Sequence, residues 1–236
     1  MTDAAPVFPP LMQGMAVDGA ADPFDVACQK ATMGVDAGLV VHRLAVDRMG
    51  AALVFAPEVP LSEAVAMLPV CEVGFQNALG ALAPPEVAVH LGWTGDILIN
   101  GARCGRFRMA ASGDDAQAIP DWLVVGFELP VMMGVSDPGE TPDQTALHDE
   151  GCADVEPQAL LESWARHTLN WISRWETEGV RPVHEEWRGL AHGIGEAAVH
   201  EDLSGTFVGI DEAFGMLLRD EATTNLIPLT SVLETL

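Results

Sequence analysis

The sequence predicts an α/β (α+β) protein: a mixed sheet with flanking helices, followed by a small β module. Three observations carry this. Short β-like runs alternate with helical stretches through the first half of the chain. One segment, 157–178, keeps helical spacing of its apolar residues throughout. The last 45 residues, 192–236, show only short strand-like runs.

Length and charge bound the function. A chain of 236 residues with 49% apolar content can bury a core. Its net charge of −24 repels phosphate backbones and anionic lipids, so nucleic acid and membrane surfaces are poor partners. Lys30 is the only lysine, so any cation the chemistry needs must come mainly from arginine. No uninterrupted apolar run reaches the roughly 18 residues of a membrane span, and the N-terminus lacks the basic and apolar regions of a signal peptide. Cys28, Cys71, Cys104 and Cys152 lie far apart. The expectation is a set of reduced thiols in a cytoplasmic protein.

The elements follow in order. Residues 1–21, rich in Pro, Gly and Ala, form an extended lead-in to a main domain over 22–191. Asp22-Pro23 has the form of an N-cap followed by proline at N1, opening a helix over 24–35. Two strands, 38–45 and 51–55, flank a loop at 46–50. Ser62 caps a helix to Leu82, with Pro69 as a kink. Strands at 87–91 and 97–99 lead to Asn100-Gly101, a strong hairpin signal because both central residues of a type I′ turn need positive φ. The return strand runs over 103–110 and another over 122–131. A loop over 134–156 precedes the helix at 157–178, stopped by Gly179, and a shorter helix at 183–191. The final β module, 192–236, has strands at 206–210, 216–219 and 225–229.

The informative window is Gly92-Trp93-Thr94-Gly95-Asp96-Ile97-Leu98-Ile99-Asn100-Gly101-Ala102-Arg103-Cys104-Gly105-Arg106-Phe107. It resembles the central motif of biotin and lipoate protein ligases, a Lys-Trp-Pro-Asn-Asp-Ile strand, a hairpin, then Lys-x-Ala-Gly. Trp122 to Leu129 is similar to that family's Val-Gly-Ile-Gly-Ile-Asn strand, Thr145-Ala146-Leu147 to its Thr-Ser-Leu, and the tail to the small C-terminal domain of biotin protein ligases. The resemblance implies the α/β fold shared with class II aminoacyl-tRNA synthetases, plus an SH3-like C-terminal barrel. It implies an ATP- and Mg-dependent acid–protein ligase using biotin or lipoate/octanoate, and an acceptor domain as partner. Carried over position by position, it gives Asp96 and Arg103 as catalytic candidates, and Trp93, Asn100, Gly101, Gly105, Arg106 and Gly126 as ligand-binding candidates, with no metal ligand in the chain.

The departures are concentrated on one job. The family's first lysine is Gly92, its second falls on Arg103, and the Gly-Arg-rich loop has only Val46-Asp47-Arg48-Met49-Gly50 in its place. Joining a carboxylate to an ATP phosphate needs fixed cations and N–H donors, and an arginine fork is not a lysine point charge. Arg103, Arg106 and Arg108 are the densest basic cluster, with Arg106 and Arg108 on one strand face by alternation. Two readings follow: a ligase with Arg in place of Lys, or an inactive ligase-fold binding or interaction protein. A Cys-dependent octanoyl or lipoyl transferase is a third, but acidic neighbours of Cys152 oppose thiolate formation. Trp164, Trp171 and Trp175 read as core, and His184-Glu185-Glu186-Trp187 lacks the second histidine of a zinc helix. An exposed edge on the 97–110 hairpin offers a route to a homodimer.

Overall fold

The computed structural model describes residues 5–133 and 143–235. In its main domain a seven-stranded sheet runs in the order β1-β2-β3-β7-β6-β5-β4. The strands are β1 (Gln13–Ala16), β2 (Leu39–Leu44), β3 (Arg48–Phe55), β4 (Val89–Leu91), β5 (Asp96–Ile99), β6 (Ala102–Ala111) and β7 (Leu123–Pro130). Only β1, which lies inside the lead-in, pairs in parallel, with β2; every other pair is antiparallel.

Alternation along the strands assigns the two faces. Met49, Ala51 and Leu53 of β3 join Val125, Phe127 and Leu129 of β7 in the main core, under helices α3 (Met67–Leu82) and α4 (Pro157–Glu178). The intervening Ala52, Val54 and Val124 pack beneath α1 (Pro23–Thr32) on the opposite face. Phe75, Phe107, Phe127 and Trp164 stack edge-on or tilted at the centre of the main core. Trp164 Nε1 donates to the Cys71 carbonyl at 3.1 Å, which satisfies its one donor away from water.

Asp22 caps α1 as its sequence predicts, its carboxylate accepting from Phe24 N at 2.9 Å, with proline following it. The Asn100-Gly101 turn has φ of 51° and 93°, the type I′ pattern. The helix at 62–82 is two pieces, α2 (Leu61–Ala64) and α3, with Pro60 rather than Ser62 at the first N-cap. The break comes before Pro69, not at it. That places Pro69 in the first turn of α3, where a missing N–H costs nothing. By length and composition Leu61–Leu82 could pass for a membrane span, yet most of it is buried in this core.

Two expectations are corrected. The hairpin 97–110 is not an exposed edge: β6 lies between β5 and β7, and the sheet ends at β4 and β1. Beyond the end of β5, the free side of β6 receives a hydrogen bond from Glu234 N to the Met109 carbonyl at 2.8 Å. The tail also holds a further strand of only four residues, too short for its alternation to stand out. Its sheet runs β11 (Thr224–Ile227), β10 (Met216–Arg219), β9 (Leu203–Ile210), β8 (Ala197–His200).

The two sheets are joined around one loop, Asp211–Gly215. Trp93 Nε1 donates to the Phe214 carbonyl at 2.7 Å, and His184 of α5 (Arg181–Leu190) donates through Nε2 to the Asp211 carbonyl at 2.9 Å. Trp187 packs edge-on to Phe214 and donates to Glu72 of α3. Glu72 is 2% exposed, and its other oxygen has no partner among the described residues.

Burial pushes the Glu72 carboxyl up to about 8 from the ordinary 4.5, with the Trp187 hydrogen bond opposing and the Asp96 charge adding. The folded state therefore holds this proton more tightly than the unfolded chain. The stability it contributes is complete below about pH 4.5 and is lost as pH rises through about 8. Relative to Glu72→Gln, the parent should lose stability between about pH 5 and pH 9. The gap should reach several degrees in melting temperature, measured by parallel thermal scans.

Candidate functional site

Strand register builds a charged surface on the α1 side of the sheet. Arg106 of β6 lies opposite Asp96 of β5 on one side and Glu128 of β7 on the other. Glu128 lies opposite Gly50, and Gly50 opposite Arg43. The neighbouring row runs Arg108, Gly126, Ala52, Val41. Strict alternation would put Arg103 and Arg106 on opposite faces. A bulge between Ile97 and Leu98 of β5 skips Cys104, so that Leu98 pairs with Arg103 and Ile97 with Gly105. The extra residue restores Arg103 to the face that carries Arg106 and Arg108.

The first turn of α1 closes directly over this surface. A Cβ at Gly126 would meet the Ala51 carbonyl at 2.8 Å and the Phe24 ring at 3.0 Å, so only glycine permits the approach. The Arg108 guanidinium lies 4.2 Å from the centre of the Phe24 ring, a cation–π contact at a partly buried site.

Each arginine of the surface meets a carboxylate. Arg43 and Arg48 converge on Glu128 at 3.3 and 2.7 Å. Arg103 lies 3.5 Å from Asp96, and Arg106 lies 2.9 Å from Glu234. Arg108 binds Asp22 at 2.6 Å, Asp25 at 3.2 Å and Glu234 at 2.7 Å. Five arginines, half of the ten in the sequence, thus face five carboxylates. The surface is locally neutral in a chain of net charge −24. Burial works against the charge of Arg108, but hydrogen bonds and charges from Glu234 and Asp22 outweigh it and hold the guanidinium firmly protonated. The hydrogen bond and charge of Glu128 do the same for Arg48.

The structure sorts the residues expected from sequence. Asp96, Arg103, Arg106 and Gly126 meet at this surface. Asn100 and Gly101 form the hairpin tip, where the Asn100 side chain accepts from Ala88 N and donates to Glu150. A Cβ at Gly105 would strike the Glu128 carbonyl at 2.4 Å, which makes it a packing glycine. Trp93 is 4% exposed and sits in the junction with the C-terminal sheet rather than beside the arginines. Sequence reasoning missed Arg43, Asp25 and Glu234. Alternation on β2 offered a signal for Arg43; no local pattern marks the path of the tail.

A separate groove of about 1110 Å³ lies on the helix-bearing side, lined by Leu53, Phe55, Met67, Ile172, Trp175 and Phe214. Its charged lining residues are all glutamates, so it offers no cation to an acid or a phosphate. The arginine surface is the better candidate because it carries the complementary charge.

All four cysteines are buried. Burial and the Asp25 charge push Cys28 up to about 12, with Arg108 opposing. Burial also raises Cys71, Cys104 and Cys152, reinforced by Glu72 for the first and Glu150 for the other two. Thiolate attack is disfavoured at every one of them. At pH 8, a thiol reagent should modify fewer than one cysteine per chain over minutes, and all four only after denaturant is added.

The profile of the Biotin/lipoate A/B protein ligase family matches residues 8–189. A domain of unknown function, DUF4444, matches 194–235. A biotin--[acetyl-CoA-carboxylase] ligase from Paracoccus denitrificans is 26% identical over 186 residues, 76% of this chain and 77% of that protein. The crystal structure of a biotin protein ligase-like protein of unknown function from Silicibacter sp. TM1040 is 65% identical. It has a TM-score of 0.93 and covers 98% of this chain and 100% of that one. A biotin protein ligase from Aquifex aeolicus in complex with biotin and ATP shares the fold at TM-score 0.70 and 14% identity, over 91% of this chain and 95% of that one.

Proposed function

The chain belongs to the Biotin/lipoate A/B protein ligase family, and on that premise we propose that its arginine surface binds a small acyl acid of the biotin, lipoate or octanoate class, with ATP beside it. The observation that carries this reading is the bulge in the β5–β6 hairpin, which sets Arg103, Arg106 and Arg108 on one face. Arginine forks bind carboxylates through paired N–H donors, so Arg106 and Arg108 suit the acid. Arg103 stands at the position of the family lysine, 54% exposed and steered by Asp96.

In the ligase reading, a carboxylate oxygen of the acid attacks the α-phosphorus of ATP, the bond to pyrophosphate breaks, and an acyl-adenylate forms. Arg103 supplies positive charge to the phosphoryl oxygens as negative charge builds on them. Asp96 limits the fork to one orientation. The amine of an acceptor lysine on a partner domain then attacks the acyl carbon, the bond to AMP breaks, and an amide forms as AMP and a proton leave. The Paracoccus relative is named for acetyl-CoA carboxylase, and an acceptor domain of that kind is the proposed partner here.

A second reading, acid binding without turnover, is favoured by a specific feature. Every arginine of the surface is already matched by an internal carboxylate, and the chain's one lysine lies on α1. Calorimetry with biotin, lipoate and octanoate, alone and with ATP-Mg, separates the readings when pyrophosphate is followed in the same samples. The ligase reading expects release that depends on one acid and falls about 100- to 1000-fold in Arg103→Ala. Binding without release supports the second reading. Absence of binding by all three acids overturns both.

A further inference from the structure

The C-terminal tail supplies a carboxylate to this surface from the far end of the chain. After β11 the chain makes one tight turn, Leu229–Val232, with Leu229 buried at 4% exposure. Glu234 then adds to the free side of β6 through its backbone N–H. Its side chain enters between the two arginines. One oxygen accepts from Arg106 Nη2 at 2.9 Å, and the other accepts from Arg108 Nε at 2.9 Å and lies 2.7 Å from Nη2. This is carboxylate recognition by arginine forks, already made within the chain.

We infer that Glu234 is a built-in competitor for the acid site, an internal carboxylate that a monocarboxylate ligand must displace to bind Arg106 and Arg108. The inference rests on the acid-binding reading above and adds its regulation. Charge balance supports it. With Glu234 in place, five arginines face five carboxylates. With Glu234 withdrawn, the surface carries one excess positive charge, and a single monocarboxylate restores neutrality. The exchange replaces one carboxylate by another on the same donors, so little is lost in hydrogen bonding.

The anchoring of the tail sets how far it must move. Leu229 is buried, while Glu234 retains 26% side-chain exposure. Freeing the arginines requires the residues after Val232 to peel from β6, Leu233 with its partial packing on the main core included, while the turn at 229–232 is kept. Because Glu234 is tethered, it competes at an effective concentration in the millimolar range for a short linker. A free acid therefore binds with its intrinsic affinity reduced by the fraction of chains with the tail released.

The test compares the parent protein with Glu234→Gln and Glu234→Ala by calorimetry against biotin, lipoate and octanoate. Hydrogen exchange over 229–235 is followed with and without each acid. Both variants should bind one of the acids at least 10-fold more tightly than the parent. In the parent, that acid should speed exchange at 233–235 while Leu229 stays protected. Equal or weaker binding by the variants, with tail exchange unchanged in the parent, overturns the inference and leaves the acid site standing. Failure of every acid to bind parent and variants alike overturns the site and the inference with it.

Discussion

Arg108 holds three remote pieces of the chain in one place. Its guanidinium is only 23% exposed, too sheltered to be left without counter-charge. It meets that need with the N-cap of α1, the next acid on the same helix and the tail carboxylate. The Asp22 carboxylate serves two partners at once, capping Phe24 N through one oxygen and binding Arg108 through the other. The start of α1, the centre of β6 and the segment at Glu234 thereby meet at one guanidinium. The close approach of Phe24 to Gly126 depends on that arrangement. So does the position in which Glu234 reaches Arg106.

Much of the fold was legible because local rules agreed with one another. Asp22-Pro23, Asn100-Gly101 and Gly179 each punctuate the chain where backbone chemistry demands it. The period of α4 is strong enough to fix both its ends. Less was legible where two rules competed. Pro69 reads as a kink from its ring, yet the chain resolves the conflict by ending α2 early and starting α3 afresh. Strand β8 is only four residues long, two of them exposed, and it relies on β9 for pairing.

The site was legible in its residue types but not in its pairing. The motif pointed to Asp96, Arg103 and Arg106, and alternation joined Arg108 to Arg106. What one dimension could not show was the bulge, which depends on register across the hairpin. Nor could it show that Trp93, next to the same motif, turns its indole to the Phe214 carbonyl. A tryptophan has one donor, and that donor went to the junction of the two sheets rather than toward the arginines. The acids were hidden for a simpler reason. In a chain with thirty-five of them, no single carboxylate stands out by composition.

That excess of acid also explains why the arginine surface is built as it is. Five unpaired arginines in a chain of net charge −24 would draw in whichever acidic segment lay nearest. Assigning a fixed carboxylate to each cation removes that hazard and keeps every fork oriented. Fixed partners differ in how readily they can leave. Asp22 is bound into a helix cap, and Glu128 into the middle of the sheet. Asp25 lies within α1 and Asp96 within β5. Glu234 lies in the segment after the turn at 229–232, and among the described residues one backbone hydrogen bond ties it to β6. In the proposed exchange four of the acids keep their places and Glu234 moves, because its side chain is the one that spans both Arg106 and Arg108.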